Sequence, residues 1–145
     1  MRKTVIFLLA VFIYTADVCA QSAADKIIGV YSASLSRNDA KIKAFKYKDG
    51  YRMQIFWLKT TKNPDGSLKT DQKNPDVSKR QTPMSEVVLV DKVSYEDGLW
   101  KNGQIYDPSS GKTYKVELKL KDAKTLEVKG KLGPFYKCMY WTKEK

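Results

Sequence analysis

The side chains that could do chemistry in this chain are few in kind. Asp71, Asp76 and Asp107 lie in polar, turn-like segments, and a pair of carboxylates is what glycoside hydrolysis requires, one as acid and the other as base or nucleophile. No feature of the sequence places two of them together, so no catalytic residue is assigned and an enzyme is not expected. The chain has no histidine, which removes the usual general base, the usual partner of a Ser or Cys nucleophile and the commonest metal ligand. Structural zinc lacks ligands for the same reason. Residues 65–76 fail as a calcium loop, because Lys69 stands where an oxygen ligand is needed and Thr70 where the sharp turn needs Gly. Gly111-Lys112-Thr113 fails as a phosphate loop, because Tyr106 occupies the place of its first Gly. No cofactor and no metal is expected.

What remains is recognition chemistry. Trp57, Trp100, Tyr106, Tyr114 and Trp141 fall in strand-like runs, where aromatic side chains either wall an apolar pocket or fill a core. Asp71 and Asn74 lie in the long polar segment 59–82, where they either staple the chain or contact a ligand. Connections longer than about 12 to 15 residues tend to be functional or disordered. Asn63-Pro64-Asp65-Gly66 is a strong turn within that segment.

The elements that must position these residues have a period of two. Tyr114, Val116, Leu118 and Leu120 alternate with Lys115, Glu117, Lys119 and Lys121, which is a half-buried strand. Residues 41–58 read as a hairpin turning at Lys48-Asp49-Gly50, with Tyr51, Met53, Ile55 and Trp57 on one face of its second strand. Trp100 to Tyr114 reads as another hairpin around Asp107-Pro108-Ser109-Ser110-Gly111, the Asp carboxylate accepting backbone N–H groups and Gly111 taking the positive φ. Further strands are expected at Gly29–Ser32, Val87–Val93, Leu126–Val128 and after Gly133-Pro134. Ser22 to Ile27 suits a single helical turn. About eight sequential antiparallel strands have two edges and an apolar face to hide, and closure into one up-and-down barrel hides both.

Before this domain, Arg2 and Lys3 precede an apolar run from Val5 to Tyr14, and Val18-Cys19-Ala20 ends in small residues of the kind a signal peptidase reads. Ten apolar residues are too few to span a bilayer, which takes about 20. Residues 1–20 are therefore expected to be a signal peptide and 21–145 a single β-barrel domain, exported to the periplasm or the medium. Asp17 and Val18 suit lipid attachment at Cys19 poorly. Cys138 is then the remaining thiol and cannot form an internal bridge; its neighbours alternate as on a strand, so it reads as a small residue on one face.

Several of these segments carry a resemblance. Asp71-Gln72-Lys73-Asn74-Pro75, Gly103 to Tyr114 with its Ile-Tyr-Asp-Pro-Ser-Ser-Gly-Lys-Thr-Tyr block, Leu126, Val128, Gly130, Gly133 and Trp141 resemble the successive signatures of domain-of-unknown-function family 2147. The likeness runs from about Ile28 to Lys143. This chain has Gly29-Val30-Tyr31 for the family's Gly-x-Trp, Met84-Ser85 for its Cys-Gly, and Lys131 for an aromatic residue. The resemblance implies an exported bacterial protein with a lipocalin-like barrel and implies no established activity.

Charge frames the function. The chain has 27 basic and 16 acidic residues, and removal of Arg2, Lys3 and Asp17 leaves +10. Nearly all the cations are Lys, which lacks the bidentate fork that reads phosphate or base edges, so specific nucleic-acid recognition is not expected. Two readings stand: a binding module that takes a small apolar or amphipathic molecule into its barrel, and a packed basic barrel that meets an anionic envelope polymer or a protein partner.

Overall fold

A computed structural model describes residues 21–144; the proposed signal peptide lies outside the described residues. Residues 21–24 are helical and run into a 3-10 turn, Asp25–Ile27. Eight strands follow in order: β1 Gly29–Leu35, β2 Asn38–Tyr47, β3 Gly50–Leu58, β4 Val88–Glu96, β5 Leu99–Asp107, β6 Lys112–Leu120, β7 Thr125–Leu132 and β8 Phe135–Lys143. Each pairs antiparallel with the next, and β1 closes on β8 through Tyr31–Lys143 and Ser32–Thr142, so the sheet is an up-and-down barrel.

Alternation supplies the core. Ile42, Met53, Val90, Leu118, Leu126 and Val128 face inward, while the Lys-rich positions between them face water. β6 carries Val116 and Leu118 buried and Lys115 and Lys119 exposed, the pattern a half-wet strand demands. Three irregularities break the rhythm. The β2–β3 register jumps so that Lys41 pairs with Trp57 but Ile42 with Ile55, which leaves Phe56 as an extra residue. Lys92 and Asn102 take positive φ in β4 and β5, and the β5–β6 register shifts between Trp100 and Gly103. Each extra residue exchanges the inner and outer faces beyond it. The irregular β3–β4 pair is also tied from outside: Arg52 donates Nε to Asp91 Oδ1 at 3.0 Å and a terminal N–H to Oδ2 at 3.1 Å, with its guanidinium 3.5 Å from the centre of the Tyr47 ring.

The barrel's two ends differ. At one, the N-terminal turn is a plug. Ile27 is fully buried, Tyr31 Oη donates to its carbonyl at 2.7 Å, Trp100 Nε1 donates to Ala24 O at 3.0 Å, and Tyr51 Oη donates to Asp25 Oδ1 at 2.6 Å. The other end carries the β1–β2, β5–β6 and β7–β8 turns and the long β3–β4 connection, and it is open.

Candidate functional site

The barrel interior opens at this second end into a cavity of about 620 Å³. Its wall comes from alternate residues of the strands that reach the mouth: Leu35 of β1, Leu89 of β4, Ile105 of β5 and Tyr114 of β6. β8 contributes Phe135, Lys137, Met139 and Trp141, spaced by two, with Trp141 buried at the floor. Beside them on the neighbouring strand, β7 offers Gly130 and Leu132. Gly130 presents no side chain to this level of the cavity, and a Cβ there would make only ordinary contact, 3.6 Å from Ile105 Cγ2.

The mouth is polar on one side. Asp107 accepts from the Ser109 amide at 2.9 Å, from Ser109 Oγ at 2.6 Å and from Ser110 Oγ at 2.8 Å, an Asx arrangement that closes the β5–β6 turn. Partial burial works to raise its carboxyl, but these donors and the nearby Lys137 charge outweigh it and hold the group below the ordinary range. Lys137 faces into the mouth, and among the described residues no carboxylate lies within ion-pair distance of it. The site is an apolar sleeve with one cation at its lip.

The residues singled out from sequence are dispersed by this geometry. Tyr114 and Trp141 line the cavity. Trp100 is interior but sits at the plugged end, where its indole N–H is committed to Ala24. Trp57 is 43 % exposed on the outside of β3, beneath Lys41 at 5.9 Å, because the extra residue Phe56 turns it away from the face shared by Met53 and Ile55. Tyr106 is turned outward by the Asn102 bulge, which hands the inner face to Gly103 and Ile105; it touches the cavity only at its edge. Its hydroxyl donates to Asp71 Oδ1 at 2.7 Å, and Asn74 Nδ2 donates to Asp71 Oδ2 at 2.8 Å. Burial first, then this carboxylate, push the Tyr106 phenol well above its ordinary range.

Asp71 is thus 2 % exposed with both oxygens occupied, on the outer wall rather than in the barrel. The segment 59–82 does not form the cavity's rim either. It is strapped along the outside of β4 and β5, where Lys73 Nζ donates to Ser109 O at 2.6 Å and a crevice of about 350 Å³ separates Asn74, Lys79 and Gln104. Cys138 is a half-buried free thiol on the outward face of β8. No group of three His, Cys, Asp or Glu side chains that could hold a metal occurs among the described residues.

The sequence reading missed Leu35, Leu89, Ile105, Gly130, Leu132, Phe135, Lys137 and Met139. Stepping by twos back from Trp141 would have found the β8 members. The others needed to be seen across the barrel.

An eight-stranded antiparallel barrel, plugged at one end and hollow at the other, is the lipocalin-like class of fold. The chain belongs to the family described as uncharacterized protein conserved in bacteria, DUF2147, whose model matches residues 29–143. Its structure is similar to that of protein HP1028 from the human pathogen Helicobacter pylori, which is described as belonging to the lipocalin family. The TM-score is 0.66 at 22 % identity, over 82 % of this chain and 83 % of that one. No curated protein matches.

Proposed function

We propose that this protein is an exported carrier or sensor that takes one small apolar or amphipathic molecule into the open end of its barrel. The cavity carries this reading: about 620 Å³ lies within the range of roughly 300–1,000 Å³ typical of small-molecule sites, with the mostly apolar wall and few polar groups such sites have. An apolar hollow left empty loses the dispersion contacts its lining would otherwise make, so an occupant gains them back. The packed-barrel alternative has no comparable support from the interior.

The test uses an environment-sensitive naphthalene sulfonate dye, followed through its own emission and through quenching of Trp141. Gly130→Phe projects a ring into the middle of the cavity from a position with ordinary backbone angles and ordinary Cβ contacts. It is expected to weaken dye binding at least about tenfold, the scale of losing a few methylenes' worth of buried contact. Trp57→Ser, on the outer wall, is expected to change it less than twofold. Undiminished binding by a correctly folded Gly130→Phe protein would place the dye elsewhere and remove the interior as the site.

A further inference from the structure

Large apolar side chains are distributed unequally between the two ends of this barrel. Leu132, Phe135 and Tyr136 project from the β7–β8 turn with exposures of 60, 75 and 65 %. Three of the nine large exposed hydrophobic residues among those described thus fall within five positions of this one turn. Single exposed hydrophobics are normal, whereas several gathered at one end mark a surface that meets something less polar than water.

Charge is divided the same way. The segments at the plugged end, residues 25–26, 46–49, 96–98 and 121–124, hold five basic and five acidic side chains. Those at the mouth, residues 36–38, 107–112 and 129–137, hold five basic and one acidic. The stretch 129–137 itself has Lys129, Lys131 and Lys137 and no acid; Lys131 is paired with Glu117 of β6 at 2.6 Å, which leaves Lys129 and Lys137 as the cations of this tip. Lys129 Nζ lies 4.9 Å from the centre of the Tyr136 ring, so cation and aromatic face form one amphipathic tip.

We propose that the mouth end docks on the surface of an anionic phospholipid bilayer, with Leu132, Phe135 and Tyr136 entering the interfacial layer and the surrounding lysines meeting lipid phosphates. Aromatic rings flanked by Lys suit the headgroup level of a bilayer, and each cation held near an anionic leaflet adds attraction that falls away within a Debye length. A merely basic surface would need no apolar tip, and a merely apolar contact would need no lysines. Docking in this pose sets the cavity mouth against the lipid, so an amphipathic occupant would pass between bilayer and barrel without crossing water.

Flotation with phosphatidylcholine vesicles, with and without about one third phosphatidylglycerol, tests this. The full chain and residues 21–145, which hold the whole barrel, are both run, so that the apolar run Val5–Tyr14 does not itself report as binding. Binding is expected on the anionic vesicles, reduced about tenfold or more in Phe135→Ser/Tyr136→Ser, and reduced comparably by Lys129→Glu/Lys137→Glu or by raising salt to about 0.5 M. These side chains are exposed, and unchanged melting of the variants confirms their fold. Gly130→Phe, with its cavity filled, is expected to float as the parent does, so loss of the cavity reading and loss of this one remain distinct. Absence of flotation, or flotation indifferent to the Phe135 and Tyr136 substitutions, would overturn the proposal. So would a concentration-dependent dimer in sedimentation that those same substitutions abolish, because a second copy would then own the patch.

Discussion

Replacing Asp71 by Ala removes the acceptor of two short hydrogen bonds, from Tyr106 Oη and Asn74 Nδ2, at a site 2 % exposed. Hydrogen bonds to a charged group contribute roughly 1.5–3 kcal/mol each. Tyr106 and Asn74 are only half-buried, so their freed donors regain water and the lower figure applies to each, giving a loss of about 3 kcal/mol. For a domain of this size that corresponds to a fall in melting temperature of about 10 °C. Tyr106→Phe leaves a buried carboxylate one donor short and is expected to cost about 1.5–3 kcal/mol. Asp71→Asn keeps an acceptor for Tyr106 but sets an amide N–H₂ against that of Asn74. Asn74 cannot turn freely to relieve this, because its Oδ1 accepts from the Asp76 amide at 2.9 Å; the expected cost is about 1–2 kcal/mol. Urea denaturation of the two single mutants and of the double mutant Asp71→Ala/Tyr106→Phe gives the coupling, expected at about 1 kcal/mol or more. Dye affinity should stay within twofold throughout, since the pair is on the outer wall. Single-mutant losses below about 0.5 kcal/mol would refute the staple, and dye affinity that collapses at unchanged stability would return Asp71 to the role of ligand contact.

Gly111→Ala places a side chain on a residue at φ +72°, with its Cβ 2.1 Å from Lys73 O. The left-handed backbone alone costs roughly 1–2 kcal/mol, and the strap must also shift, so the urea midpoint is expected to drop and amides 70–76 to exchange faster; an unchanged midpoint would mean the strap does not press on this turn. At the plugged end, the Tyr51 hydroxyl chiefly, helped by Lys46, holds the Asp25 carboxyl below its ordinary 3.8. A folded-state value below the unfolded one means that the contact stabilises fully above the ordinary value and fades as pH falls through the lower one. Amide exchange over residues 24–28 and Trp100 emission should therefore report loosening only below about pH 4, and loosening that began near neutrality would point to another group.

The period-two alternation of residues 112–120 and the turn chemistry at Lys48-Asp49-Gly50, Asp107-Pro108 and Gly133-Pro134 were enough to place strands, to count eight of them and to require closure, because an open sheet of that length would leave two edges and an apolar face in water. The hairpin residues Gly103 to Tyr114, with Asp71 to Pro75, Leu126, Val128, Gly130, Gly133 and Trp141, carried the family resemblance. What alternation could not carry was parity across a bulge. One added residue at Phe56 sends Trp57 outward, and the bulge at Asn102 exchanges Tyr106 for Ile105, so a face read by twos from either side is inverted beyond it. The cavity likewise waited on the fold: Gly130 is an absence in the sequence, and it counts as space only where the closed barrel sets it facing Ile105 within the same cavity. Asp71 was legible as a turn former, but its buried bond to Tyr106, 35 residues away, is a product of the strap lying on the outer wall. Local propensity is written in near neighbours, whereas which side of a closed wall a residue occupies is settled by every register between it and the seam.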